Sequence, residues 1–292
     1  MKKIKFSIII ALAPHRKCEI LQSLKNLDYP KNKYEIIIKK GLNPSINRNE
    51  GIKKAKGEIL VFLDDDGIVN KNLLKNAETF FNKYPKIDIV GGPQLTPKDD
   101  PLFAKICGYA FSSFFGTFSM SKRYKKSKIN LNADETSLTS AICFIKKKVF
   151  NKIKAFDPKL FPGEDPEFFT RAKKNNFKVA YSPDIIIYHK RRSTIYSFIK
   201  QIFYYGKVRL KISKKITLIF FLPSLFVVYL ISLLFLPSIF LIPLYFYILL
   251  DILFSLYLSI KNLNPIALIL LLFIFPIIHI SYGIGLIYSL FK

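Results

Sequence analysis

Three consecutive carboxylates, Asp64-Asp65-Asp66, lie directly behind the apolar run Ile59-Leu60-Val61-Phe62-Leu63. A short run of β-branched and aromatic residues reads as a strand buried on both faces of a parallel sheet. Three acids at its carboxyl end repel one another unless a cation sits among them. In open α/β sheets that edge is where ligands bind. A carboxylate cluster there suits a hard divalent ion such as Mn²⁺ or Mg²⁺, and such an ion commonly brings a phosphorylated substrate. A second acidic group, Gly163-Glu164-Asp165-Pro166-Glu167, opens a helical stretch, where the helix dipole favours negative charge.

The elements that must position these acids alternate in type. Strands are expected at 4–12, 34–38, 58–63, 87–90, 142–145, 178–181 and 185–188. Helices are expected at 17–27, 48–56, 71–83 and 166–175. Strands alternating with helices imply a mainly parallel sheet with right-handed crossovers. Between them, 101–118 crowds Phe103, Tyr109, Phe111, Phe114, Phe115 and Phe118 with little charge. It reads either as a buried helix or as a helix lying at a membrane surface. The basic, polar stretch 121–132 reads as a mobile loop.

Composition divides the chain. It has 292 residues and a formal charge of +26, yet no charged residue occurs between Ile216 and Leu250. From Ile216 onward only Asp251, Lys261 and Lys292 are charged. A spanning helix needs ~20 apolar residues, and the uncharged run is too long for one span, so it must turn, most naturally at Pro237-Ser238. Three spans are expected, at 216–236, 239–260 and 265–291. Asp251 and His279 lie inside them and are functional candidates by position. The preceding segment, 190–215, holds many Lys and Arg and no acid, with Ile195, Phe198, Ile202, Phe203, Tyr205 and Val208 interleaved. That pattern suits a basic amphipathic helix on an anionic membrane. The positive-inside rule then places the basic segment, and with it the part that carries the acids, in the cytoplasm and makes the chain a multi-pass protein of the cell membrane. A basic aromatic stretch also suits single-stranded nucleic acid, but nucleic acid leaves the apolar C-terminus unexplained and is not expected as a partner. Cys18, Cys107 and Cys143 form no CxxC pair and imply free thiols. The N-terminal Met1-Lys2-Lys3 with its adjoining apolar run imitates a signal peptide, but a strand and helix account for it and cleavage is not expected.

Four pieces in order resemble the family 2 glycosyltransferases, over about residues 4–209. They are Phe6 to Pro14, the stretch Asn47-Arg48-Asn49-Glu50-Gly51 leading through Ala55-Lys56-Gly57-Glu58 to Phe62-Leu63-Asp64-Asp65-Asp66, the Glu164-Asp165 pair, and Tyr181-Ser182-Pro183-Asp184 through Tyr188-His189. The resemblance implies an α/β domain of the GT-A, Rossmann-like fold over 1–189; composition adds the basic interfacial segment over 190–215 and the α-helical membrane region over 216–292. The resemblance also implies an enzyme, hexosyltransferase-like, that moves a sugar from a nucleotide-diphosphate sugar with inversion at the anomeric carbon. Asp66, Asp64 and His189 would hold the metal. Asp64, Asp65, Arg48, Asn49, Pro14 and Arg192 would bind the donor. Asp165 would be the general base, with Glu164 the alternate. The acceptor is expected to be lipid-linked or a glycan of the cell envelope. Two departures stand out. The family's second strand usually ends in acids that contact the base, whereas this one runs into Lys39-Lys40-Gly41. The Gln-x-x-Arg-Trp motif of processive synthases is absent, the nearest stretch being Gln201-Ile202-Phe203-Tyr204-Tyr205. A membrane scaffold that kept the fold without turnover is the alternative reading.

Overall fold

The computed structural model describes residues 4–161, 163–212 and 218–291. The chain forms two compact units, Met1–Pro97 with Lys122–Lys190, and Lys98–Ser121 with Arg191–Lys292. In chain order the elements begin β1 (Phe6–Leu12), α1 (Leu21–Leu24), β2 (Tyr34–Lys40), α2 (Pro44–Lys54), β3 (Ile59–Asp64), β4 (Gly67–Val69) and α3 (Leu73–Lys83). They continue with β5 (Ile89–Gly91), β6 (Gln94–Leu95), α4 (Leu102–Ser112), α5 (Phe114–Thr117), β7 (Ile142–Lys146), α6 (Lys147–Ile153) and α7 (Glu164–Lys174). The last are β8 (Val179–Tyr181), β9 (Ile187–His189), α8 (Ile195–Ile212), α9 (Leu222–Ser232), α10 (Ile242–Lys261) and α11 (Ile266–Leu290).

In the first unit six strands form one sheet in the order β2-β1-β3-β7-β5-β8. β1 runs parallel to both β2 and β3, and β7 is antiparallel to β3 and β5. The expected parallel sheet therefore carries one reversed strand. Side-chain alternation along the strands builds a core on each face. Phe6, Ile8 and Ile10 of β1 and Ile59, Val61 and Leu63 of β3 pack into one core with α3. Ile9 of β1 and Leu60 and Phe62 of β3 pack into the other with α6 and α7. Burial on both faces explains the continuous apolar runs. Because β1, β2 and β3 are parallel, Leu12, Lys40 and Asp64 leave the sheet at one edge.

A second, three-stranded sheet has the order β4-β9-β6, and sequence pattern gives no sign of β4 or β6. It pairs Gly67 with His189 in antiparallel register. Two other expectations change at their ends. Asn43 caps α2, its side chain accepting from the Ser45 and Ile46 amides, with Pro44 at the first helical position, so this helix starts earlier than the expected 48. The helix expected at 17–27 shrinks to one turn, α1, because the chain before it is tied to the end of β3 by the Ile20 amide bonding the Asp65 carbonyl at 3.0 Å. The stretch 121–132 is not a free loop. Asn130 and Tyr181 exchange backbone hydrogen bonds, and the Tyr181 hydroxyl donates to the Lys125 carbonyl at 2.9 Å.

The second unit is helical, and α4 belongs to it. Ala104, Ile106, Cys107, Ala110 and Phe111 are buried there, which favours the buried-helix reading of 101–118. Two helices are long and apolar enough to cross a membrane, Ser238–Lys261 and Ile266–Leu290. At 1.5 Å per residue each exceeds the ~30 Å of a bilayer core. The first expected span, 216–236, takes a different form: its apolar helix runs only over Leu218–Ser232, and residues 216–217 lie outside the described residues. α8, expected as an interfacial helix, packs closely on α11. A Cβ on Gly206 would run into the Tyr282 carbonyl, and a Cβ on Gly285 into the Phe203 carbonyl. Small residues at such crossings let backbones touch. Ordinarily Gly→Ala inside a helix stabilises by about 1 kcal/mol. Gly285→Ala is expected to do the reverse and lower the thermal unfolding midpoint in detergent by several degrees.

His279 bonds Tyr247 through Nδ1 and the Phe115 carbonyl through Nε2, each at 2.8 Å. Both ring nitrogens are thus engaged in joining α5, α10 and α11. Asp251 is buried and accepts from the Ser255 hydroxyl at 3.1 Å.

Candidate active site

The site is assembled at the carboxyl edge of the large sheet. β3 ends at Asp64, and the chain turns through Asp65 and Asp66 into β4. The β4–β9 pairing then returns His189 to the acids. Its Nε2 lies 3.1 Å from Asp66 Oδ1 and 3.4 Å from Asp64 Oδ2. Ligand atoms of Asp64, Asp66 and His189 lie within 4.8 Å of one another. Two carboxylates and an imidazole converging this closely fit a divalent ion. Burial opposes charge on His189, but its hydrogen bonds to Asp64 and Asp66 and their charge push it up to about 9. For Asp66 burial works against ionisation, yet the bonds and charges of His189 and Arg16 hold it well below the usual carboxylate range. Asp64 is likewise held low, against burial, by His189 and by the Arg48 charge. The carboxylate donors suit a hard divalent ion such as Mn²⁺ or Mg²⁺.

The raised pKa of His189 sets a measurable pH dependence, because a metal must displace its proton. Mn²⁺ affinity should therefore rise about tenfold per pH unit from pH 6 to 8 and flatten near 9, with one proton released per ion. Titration calorimetry in two buffers of different ionisation enthalpy reads that proton directly.

Asp65 stands apart from this trio. It is buried, its Oδ1 lies 3.1 Å from Arg16 Nη1, and its Oδ2 has no partner among the described residues. Burial, against the Arg16 charge, pushes it up to about 6, with the two neighbouring aspartates adding repulsion. Pro14 sits at the second position of a turn closed by the Arg16 amide on the Ala13 carbonyl at 3.1 Å, where its fixed φ fits. That turn brings the Arg16 side chain back onto Asp66, which it bonds. Sequence reasoning missed Arg16. The available signal was an arginine one turn beyond a strand that ends beside an acidic trio.

Arg48 and Glu164 form a buried pair. Arg48 Nη1 lies 2.6 Å from Glu164 Oε1 and Nη2 lies 3.3 Å from Asp64 Oδ1, with the guanidinium 5.8 Å from the Phe156 ring centroid. Glu164 also accepts from the Gly163 amide at 2.9 Å. Burial and the Asp165 charge push Glu164 up to about 7, with Arg48 opposing. Gly163 has φ 139°, a conformation that favours glycine, and it sets the entry to α7. Asp165, in the first turn of α7, accepts from the Ser140 amide at 2.8 Å and from the Ser140 hydroxyl at 2.7 Å. Asn49 bonds both backbone groups of Phe156, donating to its carbonyl at 2.7 Å and accepting from its amide at 3.0 Å. It anchors the loop before α7. Asn47 ties together the ends of β1 and β2, donating to the Leu12 and Gly41 carbonyls. Arg192 is exposed and belongs to the second unit, where the Arg191 amide bonds Asp100 at 3.1 Å and its guanidinium lies over Phe111.

A family model described as "Glycosyltransferase like family 2" matches residues 5–203, and the chain belongs to that family. Among curated proteins it is 26% identical over 304 residues to a Methanococcus voltae protein, "Dolichyl N-acetyl-alpha-D-glucosaminyl phosphate 3-beta-D-2,3-diacetamido-2,3-dideoxy-beta-D-glucuronosyltransferase", covering 91% of this chain and 90% of that one. It is 28% identical over 110 residues to the Staphylococcus aureus "Poly(ribitol-phosphate) beta-N-acetylglucosaminyltransferase TarS", a match over 27% of this chain and 19% of that longer protein. The solved "Mannosyltransferase PcManGT from Pyrobaculum calidifontis in complex with GDP-Man and Mn2+" superposes with a TM-score of 0.61 at 12% identity, over 98% of this chain and 87% of that one. The fold is the expected GT-A fold, with apolar helices after it.

Proposed function

We propose that the chain is a membrane-anchored, metal-dependent glycosyltransferase. It transfers a sugar from a nucleotide-diphosphate sugar to a lipid-linked acceptor with inversion. The observation that carries the reading is the convergence of Asp64, Asp66 and His189 at the edge where β3 ends. The family membership supports it, as does the methanococcal relative, whose name specifies a dolichyl-phosphate-linked acceptor. PcManGT, which shares the fold, was solved with GDP-Man and Mn²⁺.

In this reading Asp64, Asp66 and His189 hold Mn²⁺ or Mg²⁺. When bound, the ion neutralises the charge that develops on the departing diphosphate. Asp165 takes the proton of the acceptor hydroxyl, and its oxygens are oriented for that task by Ser140. The acceptor oxygen bonds to the anomeric carbon as the bond to the diphosphate breaks on the opposite face, which inverts the centre. Arg48 is spent on Glu164 and Asp64, so its part is to fix α7 and the end of β3 rather than to touch the donor. The exposed apolar residues of α10, among them Tyr245, Phe246, Leu253 and Tyr257, favour lipid contact. The basic segment ahead of the apolar helices favours a cytoplasmic catalytic part and anionic lipid.

The test incubates the full chain in detergent with UDP- and GDP-sugars, Mn²⁺ and a polyprenyl-phosphate-linked sugar, and tracks nucleotide release. Release that needs both metal and lipid acceptor is expected, and NMR of the product should give the inverted anomer. Transfer to water-soluble sugars but not to lipid-linked ones would overturn the acceptor assignment. Donor binding without transfer to either would favour the scaffold reading.

A further inference from the structure

Among the described residues, two arginines contact the acidic trio, and they differ in exposure. The Arg16 side chain is 48% exposed, against 6% for Asp65 and 19% for Asp66. Arg48 is buried and engaged by Glu164 and Asp64. Arg16 reaches the acids through Nη1 on Asp65 Oδ1 and Nη2 on Asp66 Oδ2. Asp66 is therefore shared: Oδ1 faces His189 and Oδ2 faces Arg16. A guanidinium has five N–H donors in a planar fork, so two carboxylate contacts leave donors over.

Arg16 and a divalent ion both draw on the Asp66 carboxylate, so each weakens the other's hold. A nucleoside diphosphate brings new oxygen acceptors to the same edge, and phosphate is the partner a guanidinium fork fits bidentately. The Pro14 turn fixes where Arg16 leaves the backbone, while the long, half-exposed side chain is free to change partner.

We propose that Arg16 binds the diphosphate of the donor: it rests on Asp65 and Asp66 while the site lacks donor, and exchanges the Asp66 contact for a phosphate oxygen when metal and donor arrive. The inference rests on the proposed donor chemistry. It gives metal and nucleotide positive coupling, because each removes a competitor of the other.

The experiment compares the full chain in detergent with Arg16→Ala, Arg16→Gln and Arg16→Lys. Mn²⁺ binding without nucleotide is read by electron paramagnetic resonance, and UDP and GDP binding at saturating Mn²⁺ by calorimetry. Arg16→Ala should bind Mn²⁺ about threefold more tightly than the parent, since an exposed competing cation is gone. It should bind the nucleotide about 10- to 100-fold more weakly. Arg16→Lys should fall between, having charge but no fork. Should Arg16→Ala fail to fold, Arg16→Gln gives the same two readouts. Opposite movement of the two affinities is what a merely structural arginine would not produce. Loss of both together, or unchanged nucleotide binding, overturns the role of Arg16 alone. A parent protein that binds Mn²⁺ but neither UDP nor GDP overturns the donor chemistry, and this inference with it.

Discussion

Arg48→Met is expected to cost about 3–5 kcal/mol of stability and to abolish turnover. Arg48 lies buried between Glu164 and Asp64, at 2.6 and 3.3 Å. Removing one partner of a buried pair strands the other charge, and that penalty exceeds the net worth of the pair. Here Glu164 loses its cationic partner, while Asp64 loses one of two and keeps His189 at 3.4 Å. Glu164 can escape by taking a proton, since burial already pushes it up to about 7. A buried acid whose pKa is raised by folding destabilises where it is ionised, so the deficit of Arg48→Met should shrink as pH falls from 8 to 6. Asp64 has no such escape, because His189 keeps it ionised. The double variant Arg48→Met with Glu164→Gln should therefore regain most of the thermal stability and none of the activity. Restored activity in the double variant would mean that Arg48 serves α7 alone and leaves Asp64 untouched.

The apolar strand and the acids behind it are legible because β3 is buried on both faces, so its sequence is a run rather than an alternation. The arrival of His189 beside Asp66 is not legible from local pattern. It depends on β4 and β9, strands of three residues each, too short to show a period. Family resemblance supplies His189 where periodicity cannot. A first-turn proline suggests that α7 starts at Pro166, but the helix opens two residues earlier, after Gly163, which leaves the proline within the first turn, where its missing N–H is harmless. That shift matters chemically, because it places Glu164 and Asp165 inside the first turn. The two acids look interchangeable in sequence. In the structure one is closed off by Arg48 and the other is presented by Ser140. The Phe-rich segment around Phe111 gives two readings, since an apolar helix looks the same whether protein or lipid covers it. The first span does not reach full length for a related reason: hydropathy reports what could be buried in lipid, not where a helix ends, and α9 ends at Ser232, before Pro237 opens the next turn.

Asp165→Asn should lower kcat by about 10²- to 10⁴-fold while leaving Mn²⁺ binding and donor KM close to those of the parent. The reason lies in what the substitution keeps. An amide oxygen can still accept from the Ser140 amide, now at 2.8 Å, so α7 and the β7 entry stay joined. What is lost is the lone pair basic enough to take the acceptor proton. Asp66→Asn removes a different function. It should weaken Mn²⁺ binding by at least about tenfold, because a carboxylate ligand leaves the group of three. Donor affinity should fall with it. Glu164→Gln separates the two acids of α7: its carboxylate serves Arg48, so the variant should show its loss in thermal stability more than in kcat. If Glu164→Gln instead stops turnover at full stability while Asp165→Asn remains active, the proton is taken by Glu164, and the Arg48 contact must open during each cycle to free it.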